Sequence, residues 1–223
     1  MGFAGYYLIG IVAFVASMAI QGWLRSTYNK WMRVANTSGL TGAEVARAIL
    51  KENGITNVKV EATKGMLTDH YDPRSRTVRL SEGNYSHANV SGMAVAAHEV
   101  GHAIQHAKAY APLQIRHAIL PAANLGSQFG PMLAIFGIMF GAGGLIQIGV
   151  LLFSAAVLFQ VITLPVEFDA SRRALVQLKQ LGLATDADSG GARKVLTAAA
   201  MTYVAAAATS IAYLIYFLGL SRD

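Results

Sequence analysis

The stretch AILPAANLGSQFGPMLAIFGIMFGAGGLIQIGVLLFSAAVLFQVITLPV, residues 118–166, carries no charged side chain. A helix crossing a bilayer needs about 20 apolar residues, so this run is too long for one span and long enough for two. Its glycine cluster GAGG at 141–144 supplies the dividing turn, because glycine reaches backbone conformations that branched residues resist. The reading is two spans, 119–140 and 145–165, joined by a tight turn. A soluble domain has no use for such a hairpin, and the fold class follows from it: a mainly α integral membrane protein.

The rest of the 223-residue chain agrees. Hydrophobic residues make up 54% and charged residues 13%, with a mean hydropathy of +0.42, too apolar for an ordinary globular domain. Residues 2–24, GFAGYYLIGIVAFVASMAIQGWL, form another uncharged run, with Tyr6, Tyr7 and Trp23 near its ends. Aromatic side chains favour the membrane interface. No basic residue precedes the run, as a cleavable signal peptide would require, so it reads as a retained anchor. A fourth span, VLTAAAMTYVAAAATSIAYLIYFLG at 195–219, is less hydrophobic but also free of charge.

Of the 18 basic residues, twelve lie between Arg25 and Arg116, five between Arg172 and Lys194, and the last is Arg222. Cytoplasmic loops collect Lys and Arg, which places both large loops inside and both termini outside. Four spans satisfy that arrangement. The net charge of +6 is then a record of topology, and no nucleic-acid partner is expected. Zero cysteines exclude disulfides and thiolate metal sites, so any metal must be held by imidazole and carboxylate.

The cytoplasmic region 25–117 has structure of its own. TGAEVARAILKENG (41–54) opens with a capping box, Thr41 and Glu44, and stops at Gly54. NVKVE (57–61) alternates like a short strand. MLTDHYDPRSRTVRL (66–80) reads as two strands about a DPRS turn. A helix then runs from about 87 to 108.

That helix carries AVAAHEVGHAIQHA, residues 94–107. Positions i and i+4 share a helix face, so His98 and His102 can reach one ion, with Glu99 beside them. Imidazole suits zinc, and this HExxH spacing is that of zinc peptidases. With six His and six Glu in the chain, chance would produce it at roughly the half-percent level. Ala96, Ala97 and Gly101 leave room for another helix to approach. His106 reads as a surface or supporting residue. A third ligand must come from the same side of the membrane, and LPVEFDASRRAL (164–175) offers Glu167 and Asp169 where charges resume. Asp169 has Arg173 at i+4 as a ready partner. Glu167 has no base at i+3 or i+4 and is the preferred ligand.

HEVGHAIQHA, with LTDHYDP upstream and LPVEFDASRRAL downstream, resembles the YugP-type neutral zinc metallopeptidases of bacterial membranes, over nearly the whole chain. More broadly it is similar to gluzincins such as HtpX and the CAAX prenyl protease. The resemblance implies a zincin-like α+β cytoplasmic portion over 25–117 and a cytoplasmic helical segment over 166–194. It implies Zn2+ bound by His98, His102 and Glu167, with Glu99 as general base. The HtpX-type motif continues Glu-x-x-x-Asp, but Ser171 stands at that position. A carboxylate orienting a ligand histidine must then be Asp169, come from elsewhere, or be missing. His70, Tyr71 and Arg172 are candidate oxyanion donors, and strand 76–80 is a candidate to pair with an extended substrate.

The expected function is a zinc endopeptidase of the bacterial inner membrane, multi-pass, with its site on the cytoplasmic side. It would cut membrane or unfolded polypeptides in the manner of protein quality control. An oligomer or a partner membrane protein fits equally. The competing class is a metal-stabilised scaffold or adaptor that does not cut, which would have no need of Glu99.

Overall fold

A computed structural model describes residues 3–221; Gly2, the first residue of the expected anchor, and Arg222 lie outside the described residues. The chain runs α1 (Phe3–Met32), α2 (Gly42–Glu52), β1 (Lys59–Thr63), β2 (His70–Asp72), β3 (Thr77–Ser81), α3 (Glu82–Ser86), α4 (Val90–Ala107), α5 (Ala111–Phe140), α6 (Gly143–Gln180) and α7 (Asp186–Leu220). It is mainly helical, and α1, α5, α6 and α7 are each long and apolar enough to cross a membrane. The chain divides into two compact units.

The first unit takes α1 as far as Gln21, the segment Ala111–Pro165, and α7 from Met201. Its outer surface is apolar: Leu8, Ile11, Val12, Phe14 and Leu151 are each 60% or more exposed. Hydrocarbon, not water, is the solvent that suits such a surface. The α5–α6 turn falls at Gly141, whose φ of 63° lies in the left-handed region. The two helices then run close together, because a Cβ on Gly130 would sit 2.8 Å from the Phe153 amide nitrogen. Small residues let apolar helices approach where lipid offers no competing hydrophobic drive. Tyr6 packs against Tyr213 and Phe217, and Phe217 meets Phe153 edge-on.

The second unit is Gly22–Tyr110 with Val166–Ala200. Its core gathers Ile49 and Leu50 of α2, Val78 and Leu80 of β3, Met93, Val100 and Ile104 of α4, Leu178 of α6 and Val195 of α7. The α2 capping box forms as read, Glu44 N donating to Thr41 Oγ1 and Thr41 N to Glu44. Gly54 follows at φ 66°. β2 and β3 form the hairpin about the DPRS turn, with Asp72 paired to Thr77.

Two strand readings need correction. The first strand occupies 59–63 where 57–61 was expected; the alternation alone left its register open by two residues. More consequentially, the sheet order is β1-β3-β2, with β1 parallel and β2 antiparallel to β3. The strand at 76–80 is therefore the central one. Its backbone is committed on both sides, and it has no edge to offer a substrate.

Candidate metal centre

α4 starts at Asn89, whose side chain accepts a hydrogen bond from Gly92 N. Its alanines and glycines bury it on nearly every side, which brings the polar residues of the motif into a dry setting. His102 and Glu99 are each 8% exposed. The helix owes its closest neighbour to Gly101: a Cβ there would fall 2.6 Å from the Ala170 carbonyl oxygen and 3.1 Å from the Ala170 Cα. Only a residue without a side chain lets α6 come this near.

That approach delivers Glu167, itself 3% exposed. Its Oε2 lies 3.3 Å from His98 Nε2 and 3.5 Å from His102 Nε2. One ligand atom from each of the three lies within 4.8 Å of the others. Asp169 belongs elsewhere. It accepts from Arg172 at 2.6 Å, from Arg173 at 2.5 Å and from Gln105 Nε2 at 2.9 Å. The two carboxylates, two residues apart on one helix, thus do separate work.

The outer ring nitrogens are held as well. His98 Nδ1 is 3.1 Å from Ser171 Oγ, so the residue that departs from the expected aspartate still meets a candidate ligand histidine. His102 Nδ1 is 3.0 Å from Gln105 Oε1. Gln105, fully buried, also donates to the Val166 carbonyl at 2.8 Å. Gln105 therefore links His102 to Asp169 and fixes which nitrogen of His102 faces Glu167. Sequence reasoning missed this residue. Its signal was present: a glutamine three residues past a candidate ligand histidine on an otherwise apolar helix.

Burial pushes the Glu99 carboxyl up to about 7, with the Glu167 and Asp69 charges adding to the rise, while the His98 charge and a backbone hydrogen bond from Tyr71 oppose it. Tyr71 lies on β2, so β2 passes close to α4 at Glu99. The other candidates have partners of their own. Arg172 is tied to Asp169 with its side chain 74% exposed. His70 Nδ1 contacts the Thr68 carbonyl. The Tyr71 hydroxyl is 2.8 Å from His106 Nδ1, which gives His106 its supporting place.

Four helices long enough for a membrane, with two histidines and a glutamate converging on a buried helix, define a membrane protein equipped to hold a metal ion. The chain belongs to the family described as "Putative neutral zinc metallopeptidase", whose family model matches residues 6–222. It is 47% identical over 208 residues to the "Putative membrane protease YugP" of Bacillus subtilis (strain 168), covering 92% of each chain. No solved structure matches.

Proposed function

We propose that this chain is a zinc-dependent endopeptidase, multi-pass in a bacterial inner membrane, that cuts peptide bonds at the cytoplasmic face in membrane or unfolded polypeptides. The observation that carries the reading is the meeting of His98 Nε2, His102 Nε2 and Glu167 Oε2 within 4.8 Å, with Glu99 next to them on the same helix.

The donor set fits zinc. Two imidazoles and one carboxylate are the protein ligands of a catalytic zinc that keeps a place open. Both histidines have their Nδ1 engaged by Ser171 and Gln105, which leaves Nε2 for the ion. A zinc ion held there would supply Lewis acidity to a water molecule and to the scissile carbonyl. Glu99 takes one proton from that water as its oxygen bonds to the carbonyl carbon. It returns the proton to the amide nitrogen as the C–N bond breaks.

Glu99→Gln tests this. The variant keeps the shape of the side chain and removes its basicity. The expected result is zinc retained at the wild-type stoichiometry and cleavage of casein in detergent lost by a factor of about a hundred or more. Equal cleavage by the two proteins would overturn the proposal and favour the scaffold.

A further inference from the structure

The face of α4 that carries Glu99 continues past the metal centre. Ala103 lies one turn on, and His106 and Ala107 lie a turn beyond it. Together with Tyr71, the half-buried Asn53 and the exposed Asn57 and Arg76, they line an open cavity of about 410 Å³. Tyr71 connects the two places: its backbone reaches Glu99, and its hydroxyl meets His106 in the cavity wall. At 1.5 Å of rise per residue the cavity begins about 6 Å along the helix from Glu99 and ends at about 12 Å. An extended peptide covers that distance in about two to four residues.

Arg76 gives the cavity its chemistry. Among the described residues no hydrogen bond or ion pair reaches its guanidinium, although Arg79, three residues on, is paired with Glu61 and Asp72. Its backbone is also in a place that suits glycine: φ is 49°, in the left-handed region, at the end of the DPRS turn. An arginine there sets local backbone preference aside, and such departures gather where a side chain is needed. The neighbouring donors point to the same ligand. Among the described residues the side-chain amide of Asn57 has no partner. The Tyr71 hydroxyl and His106 Nδ1, 2.8 Å apart, add polar groups to the same wall.

We propose that this cavity is a carboxylate-binding subsite, in which Arg76 receives either an acidic side chain or the terminal carboxylate of a peptide two to four residues from the bond being cut. The inference rests on the peptidase reading of the metal centre. A guanidinium binds a carboxylate through paired hydrogen bonds, which a neutral amide of the same shape cannot match. The preference is therefore for Glu over Gln, or for a free C-terminus over its amide.

The test uses the full-length, zinc-loaded Glu99→Gln protein in detergent and a series of labelled unstructured peptides. A single Glu is moved along an otherwise neutral peptide, each version paired with its Gln counterpart, and a second pair differs only in a free or amidated C-terminus. Binding is read by fluorescence anisotropy. The expected result is one pair in which the acid binds about tenfold more tightly than the amide. The pair that shows it identifies the source of the carboxylate. Adding Arg76→Gln should bring the ratio to about one, Arg76→Lys should keep part of it, and Arg76→Glu should shift preference to peptides bearing Lys. Arg76→Gly separates function from folding, since it should remove the preference while raising the unfolding temperature. Equal binding within every pair, or a ratio unchanged by Arg76→Gln, would overturn the subsite. Failure of the wild type to cut casein, whatever the binding ratios, would instead overturn the peptidase reading.

Discussion

Gly101→Ala adds one methyl group to a helix and should disable a metal site that it does not touch. The new Cβ would lie 2.6 Å from the Ala170 carbonyl oxygen and 3.1 Å from the Ala170 Cα. Both are backbone atoms, so no side chain can swing aside. Restoring an ordinary separation of about 3.4 Å or more requires α4 and α6 to part locally by close to an ångström. Glu167 lies three residues before Ala170 on the same turn of α6, and its carboxylate is only 3.3 Å and 3.5 Å from the two histidine nitrogens. A shift of that size is large for a site whose ligands must be held within about half an ångström. Overpacking of this kind costs about 1–3 kcal/mol. For a chain of this length, that lowers the unfolding temperature by several degrees. Zinc affinity should fall by a factor of ten to a hundred, roughly what the loss of orienting partners does at such sites. The assay is competition with a chromogenic zinc chelator, beside a thermal melt of the same preparation. Gly190→Ala is the control, since a Cβ at that position in α7 meets nothing within 4 Å. It should leave zinc affinity unchanged and raise stability by about 0.5–1 kcal/mol through helix propensity alone. Wild-type zinc affinity in Gly101→Ala would refute the claim that close helix approach builds the site.

Two further perturbations address the shell around the ligands. Gln105→Leu keeps the side-chain volume but frees His102 Nδ1 and leaves the Val166 carbonyl without its donor; zinc affinity should drop about ten- to a hundred-fold in the same competition assay. Ser171→Ala removes a single partner of His98 and should cost less. Glu167→Ala should abolish stoichiometric zinc by elemental analysis, whereas Asp169→Ala should retain it at reduced affinity. The reverse order would transfer the ligand role to Asp169.

What could be read from the sequence and what could not divides by the range of the interaction. The hairpin at 118–166 was legible because hydrocarbon imposes one rule along a whole segment: satisfy the backbone internally and expose apolar side chains. The α2 capping box was legible because its hydrogen bonds join residues three apart, and Asp169 with Arg173 because they are four apart. The order of the sheet was not. A hairpin fixes β2 beside β3, but nothing local announces that β1 pairs with β3 from the other side, and that pairing decides which strand has a free edge.

The support of the metal centre shows the same division at the scale of single residues. The expected aspartate is a serine at 171, and the sequence alone left open which group orients a ligand. In the fold the two histidines meet different groups. Ser171 faces His98, and the carboxylate function reaches His102 indirectly, from Asp169 through Gln105. The amide suits that post because it can accept from an imidazole N–H with its oxygen while its nitrogen donates to both the Val166 carbonyl and Asp169. A carboxylate at 105 would have no proton to give either partner and would face Asp169 as a second negative charge. Gln105→Glu should therefore be worse for the site than Gln105→Leu, although it alone keeps an acceptor in reach of His102. Such a relay joins residues more than sixty positions apart, so it becomes visible only when α4 and α6 are brought together by Gly101.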